Sequence, residues 1–141
     1  MPTISWIKYP DPEFKLFMRL RMKPKINKTK FGSITIAGEK YENDIIIRLN
    51  GKVEKRRKKL SKQVYGTSHV VSLAEAQYVY EDGAARIVIG AGQSGMLKLS
   101  DEAADYFAKK KCDVELYPTP EAIRCWNEAN GPAIGLFHIT C

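Results

Sequence analysis

Cysteine and histidine are scarce in this 141-residue chain, with three of the first and two of the second. Cys112, Cys125 and Cys141 form no C-x-x-C, and His69 and His138 form no H-x-x-x-H, so the spacing offers neither a structural zinc motif nor a metal-dependent catalytic centre. No metal and no cofactor are expected. An odd cysteine count argues against a disulfide framework and for free thiols in a reducing cytoplasm, although spacing alone says nothing of their redox role. Long hydrophobic runs are missing too. The uncharged stretch Ala129 to Cys141 is broken by Gly131 and Pro132 and falls short of the roughly 18 apolar residues that a membrane-spanning helix needs. Met1 to Lys8 lacks an apolar core, so no secretory signal is read there, and the expected compartment is the cytoplasm.

What is present is an ordinary globular composition, 44% hydrophobic and 28% charged, at a length typical of one domain. The net charge of +7 is unevenly placed. Residues 1–30 hold eight Lys/Arg against Asp11 and Glu13, and the rest of the chain is nearly neutral. Pro2, Pro10, Pro12 and Pro24 forbid a long helix in this region, so residues 1–25 read as a basic arm or extension and 26–141 as the folded domain. The alternation of Phe14, Leu16, Met18, Leu20 and Met22 with Lys15, Phe17, Arg19 and Arg21 suits either an edge strand or an upstream extension with no role of its own, and Met22 is a candidate alternative initiator. A second basic cluster, Lys52, Lys55, Arg56, Arg57, Lys58, Lys59 and Lys62, is the candidate polyanion patch. Its competing reading, which we favour, is a solvated hairpin edge whose lysines discourage strand-to-strand aggregation. Tyr65, Tyr78 and Tyr80 are not spaced as an RNA-reading signature, so nucleic acid is not the favoured partner.

β-Branched runs at Phe31–Ala37 and Tyr41–Leu49, separated by Gly38-Glu39-Lys40, predict two antiparallel strands. Asn50-Gly51 predicts a hairpin into a third strand over Lys52–Arg57. Ser72 and Glu75 form a capping box opening a helix from Leu73 to near Gly83. The second half alternates: a buried strand at Arg86–Gly90, a helix from the Ser100 cap to Lys111, a strand at Asp113–Tyr117, a helix with Thr119 as cap and Pro120 first in the helix, running to about Asn130, and a last strand at Ala133–Thr140. Antiparallel hairpins followed by βαβαβ give a mixed α and β layered domain with a mixed central sheet.

Gly90-Ala91-Gly92-Gln93-Ser94-Gly95 matches the dinucleotide pattern G-x-G-x-x-G and follows a strand, with Glu115 twenty residues beyond. The glycines of that pattern must open a helix whose first amides hold a pyrophosphate. Here Met96 to Leu99 separates them from the next helix, and Glu115 falls inside its strand, so a turn required for backbone geometry is preferred over dinucleotide binding. An anion or small ligand held by loop amides remains open. His69 lies in a polar loop with Thr67 and Ser68, whereas His138 lies in an apolar strand, where a hydrogen-bonded core role is commoner than a catalytic one. A Cys141–His138 nucleophile pair is formally available, but the terminal thiol has no fixed geometry.

Several of these residues together carry a resemblance. Phe31-Gly32-Ser33-Ile34 with Gly38, Tyr41 and Asp44, then His69, Ile87 to Gly95, Thr119-Pro120-Glu121-Ala122 with Asn127, and Phe137-His138-Ile139-Thr140-Cys141 resemble the Mth-domain family, a domain-of-unknown-function family. Its relatives include the adipogenesis-associated Mth-domain protein and a mitochondrial complex I assembly factor. The resemblance covers about residues 26–141 and excludes the arm and the Lys52–Lys62 segment. It implies a three-layer α and β fold, no established catalytic residues, and action through partners in assembly or regulation. It makes Asp44, His69, Gly90, Gly92, Gln93, Ser94, Gly95, Thr119 and His138 the candidate ligand pocket, because a loop after a parallel strand lies at the usual ligand edge. The expectation is thus an uncharacterised, non-catalytic protein that binds a protein partner. The alternatives are a small-molecule or anion-binding protein or enzyme using Gly90–Gly95, and non-specific nucleic-acid binding through Lys52–Lys62. No residue pattern specifies an oligomeric state.

Overall fold

Strands and helices alternate with the hydrophobic pattern in the computed structural model, which describes residues 23–140. The proposed edge strand, the alternative start at Met22 and Cys141 lie outside that range. Among the described residues, ten strands and four helices run in the order β1 (Ile26–Lys30), β2 (Ser33–Ile36), β3 (Glu39–Tyr41), β4 (Ile45–Ile47), β5 (Val53–Lys55), α1 (Lys59–Tyr65), β6 (Val70–Val71), α2 (Leu73–Val79), β7 (Arg86–Ala91), β8 (Lys98–Leu99), α3 (Asp101–Lys109), β9 (Asp113–Tyr117), α4 (Thr119–Glu128) and β10 (Ala133–His138).

The central sheet has the order β5-β4-β10-β7-β9, with β10, β7 and β9 parallel and β4 and β5 antiparallel to their neighbours. This is the expected mixed sheet with a βαβαβ second half. Strand alternation divides its residues between two faces. Ile87 and Ile89 of β7, Ile134 and Leu136 of β10 and Ile46 of β4 pack with Ala76 and Val79 of α2 and Ala103 and Phe107 of α3. Val88, Phe137, Ala133, Ile45 and Ile47 pack on the other side with Ala122, Ile123 and Trp126 of α4 and with Ile26, Ile34 and Ile36 from the antiparallel sheet β1-β2-β3. Three layers result, because the path out from β7 to β9 and the return to β10 place α3 and α4 on opposite faces, as right-handed crossovers require.

Four local expectations are corrected. The run Tyr41–Leu49 is two strands: β3 pairs with β2, and β4 leaves for the central sheet after the Glu42-Asn43-Asp44 crossing. The third strand is confined to Val53–Lys55, and the end of the basic run is helix α1, closed by Gly66 at φ +70°. Helix α2 stops at Val79, well before Gly83, where the Arg48 guanidinium takes the carbonyls of Tyr78 and Val79 at 3.2 and 3.1 Å. Pro118, rather than Thr119, occupies the cap position of α4, and Thr119 turns its hydroxyl inward.

Candidate functional site

Polar burial concentrates where β10 ends. Asp44 sits between β3 and β4, Arg56 just after β5, Glu75 in the first turn of α2, and His138 last in β10; all four are buried. The Asp44 Oδ2 atom lies 2.7 Å from His138 Nδ1 and accepts from Arg56 Nη1 at 3.0 Å, while Oδ1 accepts from the Ile139 N–H at 2.9 Å. Arg56 donates through Nε to Glu75 Oε2 at 2.6 Å and through Nη2 to Glu75 Oε1 at 2.9 Å, a two-pronged bond suited to its planar fork. Nη2 also donates to the Ser68 carbonyl at 2.8 Å. The Ser61 hydroxyl donates to Glu75 and accepts from the Ser72 N–H at 2.9 Å. Ser72 in turn caps α2 by accepting from the Glu75 N–H at 3.1 Å.

Burial by itself would raise the Asp44 carboxyl, but the bonds from His138 and Ile139, with the nearby charges of His138 and Lys58, overcome it and hold the group down at about 2. Lys58 Nζ stands 3.7 Å from Oδ2. With the carboxylate ionised, Nδ1 of His138 carries the proton and Nε2 faces the Thr140 hydroxyl at 3.5 Å. The His69 ring lies edge-on to that of His138 with centroids 5.2 Å apart. Hydroxyl, imidazole and carboxylate stand in the order of a nucleophile relay. The Thr140 oxygen is nevertheless too far for a hydrogen bond of normal length, Asp44 already shares its charge with Arg56 and Lys58, and the His138 side chain is 1% exposed. The arrangement works as a tie joining β4, β5, α2 and β10.

The glycine loop meets the same strand end. The Thr119 hydroxyl donates to the His138 carbonyl at 2.6 Å and accepts from the Gly92 N–H at 2.8 Å, and the Thr119 N–H donates to the Gly92 carbonyl at 2.9 Å. Gly95 N–H donates to the Gly92 carbonyl and Leu97 N–H to that of Ala91, so these amides serve the turn itself. Gly92 and Gly95 have φ of +94° and +71°, a conformation that side chains disfavour. Gly90 is needed for another reason: a Cβ there would lie 2.7 Å from Phe137 Cδ1 and 2.9 Å from Thr119 Oγ1. Gln93 donates to Thr29 Oγ1 at 3.3 Å, and Ser94 is exposed at the tip.

The structure therefore brings Asp44, His69 and His138 together, and places Gly90, Gly92 and Thr119 behind them as packing and loop clasp. Arg56 does not belong to the basic surface, because its side chain is neutralised by Asp44 and Glu75 inside the fold. Arg57 lies over the Tyr78 ring, 4.6 Å from its centroid, yet stays exposed, and Lys58 leans toward Asp44; Lys52, Lys55, Lys59 and Lys62 are exposed as well. Arg56 was missed as the partner of Asp44, and Glu75 and Ser61 as the groups bonded behind Arg56. Glu75 was legible only as a capping residue, and nothing in a run of five cations marks which one turns inward. Burial pushes the Cys112 thiol up to about 11, with Asp113 adding to it; burial and the bond to Glu115 push Cys125 to about 11 as well. Among the described residues, no group of three or more His, Cys, Asp or Glu is arranged to hold a metal ion, and no helix is long and apolar enough to cross a membrane.

A family profile described as a protein of unknown function, DUF498/DUF598, matches residues 26–132. A conserved hypothetical protein from Pyrococcus horikoshii is 30% identical with a TM-score of 0.75, the match covering 83% of this chain and 99% of that one. A protein designated MT938 is 33% identical with a TM-score of 0.73, covering 84% of this chain and all (100%) of that one. XCC1710 from Xanthomonas campestris shares the fold at 13% identity, with a TM-score of 0.64 over 82% of this chain and 84% of its own.

Proposed function

We propose that this chain, which belongs to the DUF498/DUF598 family of proteins of unknown function, acts by binding a protein partner rather than by catalysis. The observation that carries this reading is a set of large apolar side chains left exposed around the carboxyl ends of the parallel strands. Phe31 is 69% exposed, Met96 60% and Tyr117 37%. Met96 follows the glycine loop after β7, and Tyr117 ends β9 beside Pro118, against which Gly95 packs. Phe31 sits in the β1–β2 turn, which the bond from the Gly32 N–H to the Ile139 carbonyl holds at the end of β10. Exposed apolar residues gathered at one edge are the usual mark of a docking surface. The buried network behind them supplies rigidity, which reduces the ordering cost of association.

The resemblance to the Mth-domain family supports the same reading, since an assembly factor is among its relatives, and the partner is then a protein presenting a complementary apolar surface during assembly. The two unpaired thiols, Cys112 and Cys125, favour a reducing compartment such as the cytoplasm. The test is a benzophenone photo-cross-linker placed at the position of Met96 in the protein's own cells, with the same group at Lys109 on α3 as control. One discrete protein adduct from position 96, lost when Phe31→Ser and Tyr117→Ser are added, is expected. No adduct, or the same adducts from both positions, overturns the reading.

A further inference from the structure

The outer face of the β1-β2-β3 sheet has a chemistry of its own. Ile34 and Ile36 point into the core, so Ser33 and Thr35, which alternate with them along β2, face away from it. Register places Lys28 of β1 and Lys40 of β3 on either side of Thr35, and Lys30 opposite Ser33. Together with Thr29, these residues line a shallow depression of about 120 Å³. Three exposed ammonium groups and the half-buried Thr35 hydroxyl thus share one surface, whereas Ser33 is buried. The charge is little compensated. Lys40 stands 3.7 Å from the exposed Glu42, and among the described residues no ion pair joins Lys28 or Lys30. Glu39 pairs with Ile36, on the opposite side of the sheet.

We infer that this face binds the phosphate backbone of single-stranded nucleic acid without reading its sequence. Lysine ammonium groups are mobile point charges that donate to phosphates in many geometries, and the Thr35 hydroxyl between Lys28 and Lys40 adds a hydrogen bond to a phosphate oxygen. No aromatic ring lies among the residues lining the depression, so binding there rests on the phosphates, which carry no sequence information. Three strands at a spacing of about 4.8 Å make a surface roughly 10 Å across, which suits one backbone better than the two that flank a duplex groove about 12 Å wide. This surface is distinct from the Lys52–Lys62 run and from the apolar edge assigned to a protein partner, and neither reading depends on the other.

The experiment titrates the full-length chain against a fluorescent single-stranded oligonucleotide of mixed sequence at several salt concentrations. Lys28→Gln/Lys30→Gln/Lys40→Gln is compared with Lys55→Gln/Lys59→Gln/Lys62→Gln, which removes the same charge elsewhere; circular dichroism verifies that both fold. Each lysine on a single strand contributes about 0.7 to the slope of log K against log salt, so the face variant should lose about 2 from that slope and bind at least tenfold more weakly at low salt, while the control retains both. Equal losses in the two variants would reduce the effect to net charge and overturn the inference. So would absence of binding by the unmodified protein, tighter binding to a duplex of the same sequence, or equal affinity for polyglutamate.

Discussion

Replacing Asp44 with asparagine removes the one charge that faces both His138 and Arg56. Breaking a buried pair in this way costs about 3–5 kcal/mol near neutral pH, because the Arg56 charge loses one of its two counter-charges inside the fold. Part of that cost depends on pH in a defined direction. The Asp44 carboxyl is held at about 2 against an ordinary value of 3.8, and each unit is worth about 1.4 kcal/mol, so its ionisation contributes on the order of 2 kcal/mol. A depressed carboxylate contributes fully above its unfolded value and loses the contribution as pH falls from about 4 to about 2. Urea unfolding of the native chain and of Asp44→Asn, followed in steps from pH 6 to pH 2, measures the gap directly, and the carboxylates common to both proteins drop out of the difference. The gap should narrow by about 2 kcal/mol at the acid end. A gap that stays constant over the whole range would refute the claim that the ionised carboxylate is what the network is built around.

Gly90→Ala should lower stability by about 1–3 kcal/mol by thermal unfolding, since the added methyl meets Phe137 and the Thr119 hydroxyl, and adding Phe137→Leu should recover part of the loss. Thr119→Val leaves the Gly92 N–H and the His138 carbonyl unpaired; a cost of about 1–3 kcal/mol and faster hydrogen exchange at Gly92 are expected. Cys112 and Cys125 should resist iodoacetamide in the folded protein at pH 7.5 and become reactive only as the pH approaches 11, which mass spectrometry of the alkylated chain will show. Trp126→Phe loses the bond from its indole N–H to the Pro24 carbonyl, 2.8 Å, and limited trypsin proteolysis should then cut sooner after Lys25.

Periodicity carried most of the architecture. The apolar runs of β7 and β10 are continuous because both faces are covered, and the caps at Ser72 and Ser100 announce their helices through local hydrogen bonds that need no distant partner. The glycine loop was also legible as a turn, since a strand followed by glycines with no helix behind them cannot present amides to a pyrophosphate. Where local pattern and tertiary demand diverged, the pattern failed. The stretch Tyr41–Leu49 reads as one strand by composition, but it serves two sheets and must bend at Asp44. Helix α2 ends early because Arg48, a residue from another strand region, claims its last carbonyls.

The sequence by itself determined a mixed α and β domain and the alternation of strands and helices in its second half, and the family resemblance named Asp44, His69 and His138 among nine candidate pocket residues. Only the tertiary structure decided that Arg56 faces Asp44 and Glu75 within the fold while Lys55 beside it faces water. It also decided that Lys28, Thr35 and Lys40 stand in one row. The difference is physical: hydrophobic period and capping act over a few residues and are written into the local chain. The partner of a buried charge and the neighbours across a sheet are set by contacts between segments far apart in sequence, which no local spacing encodes.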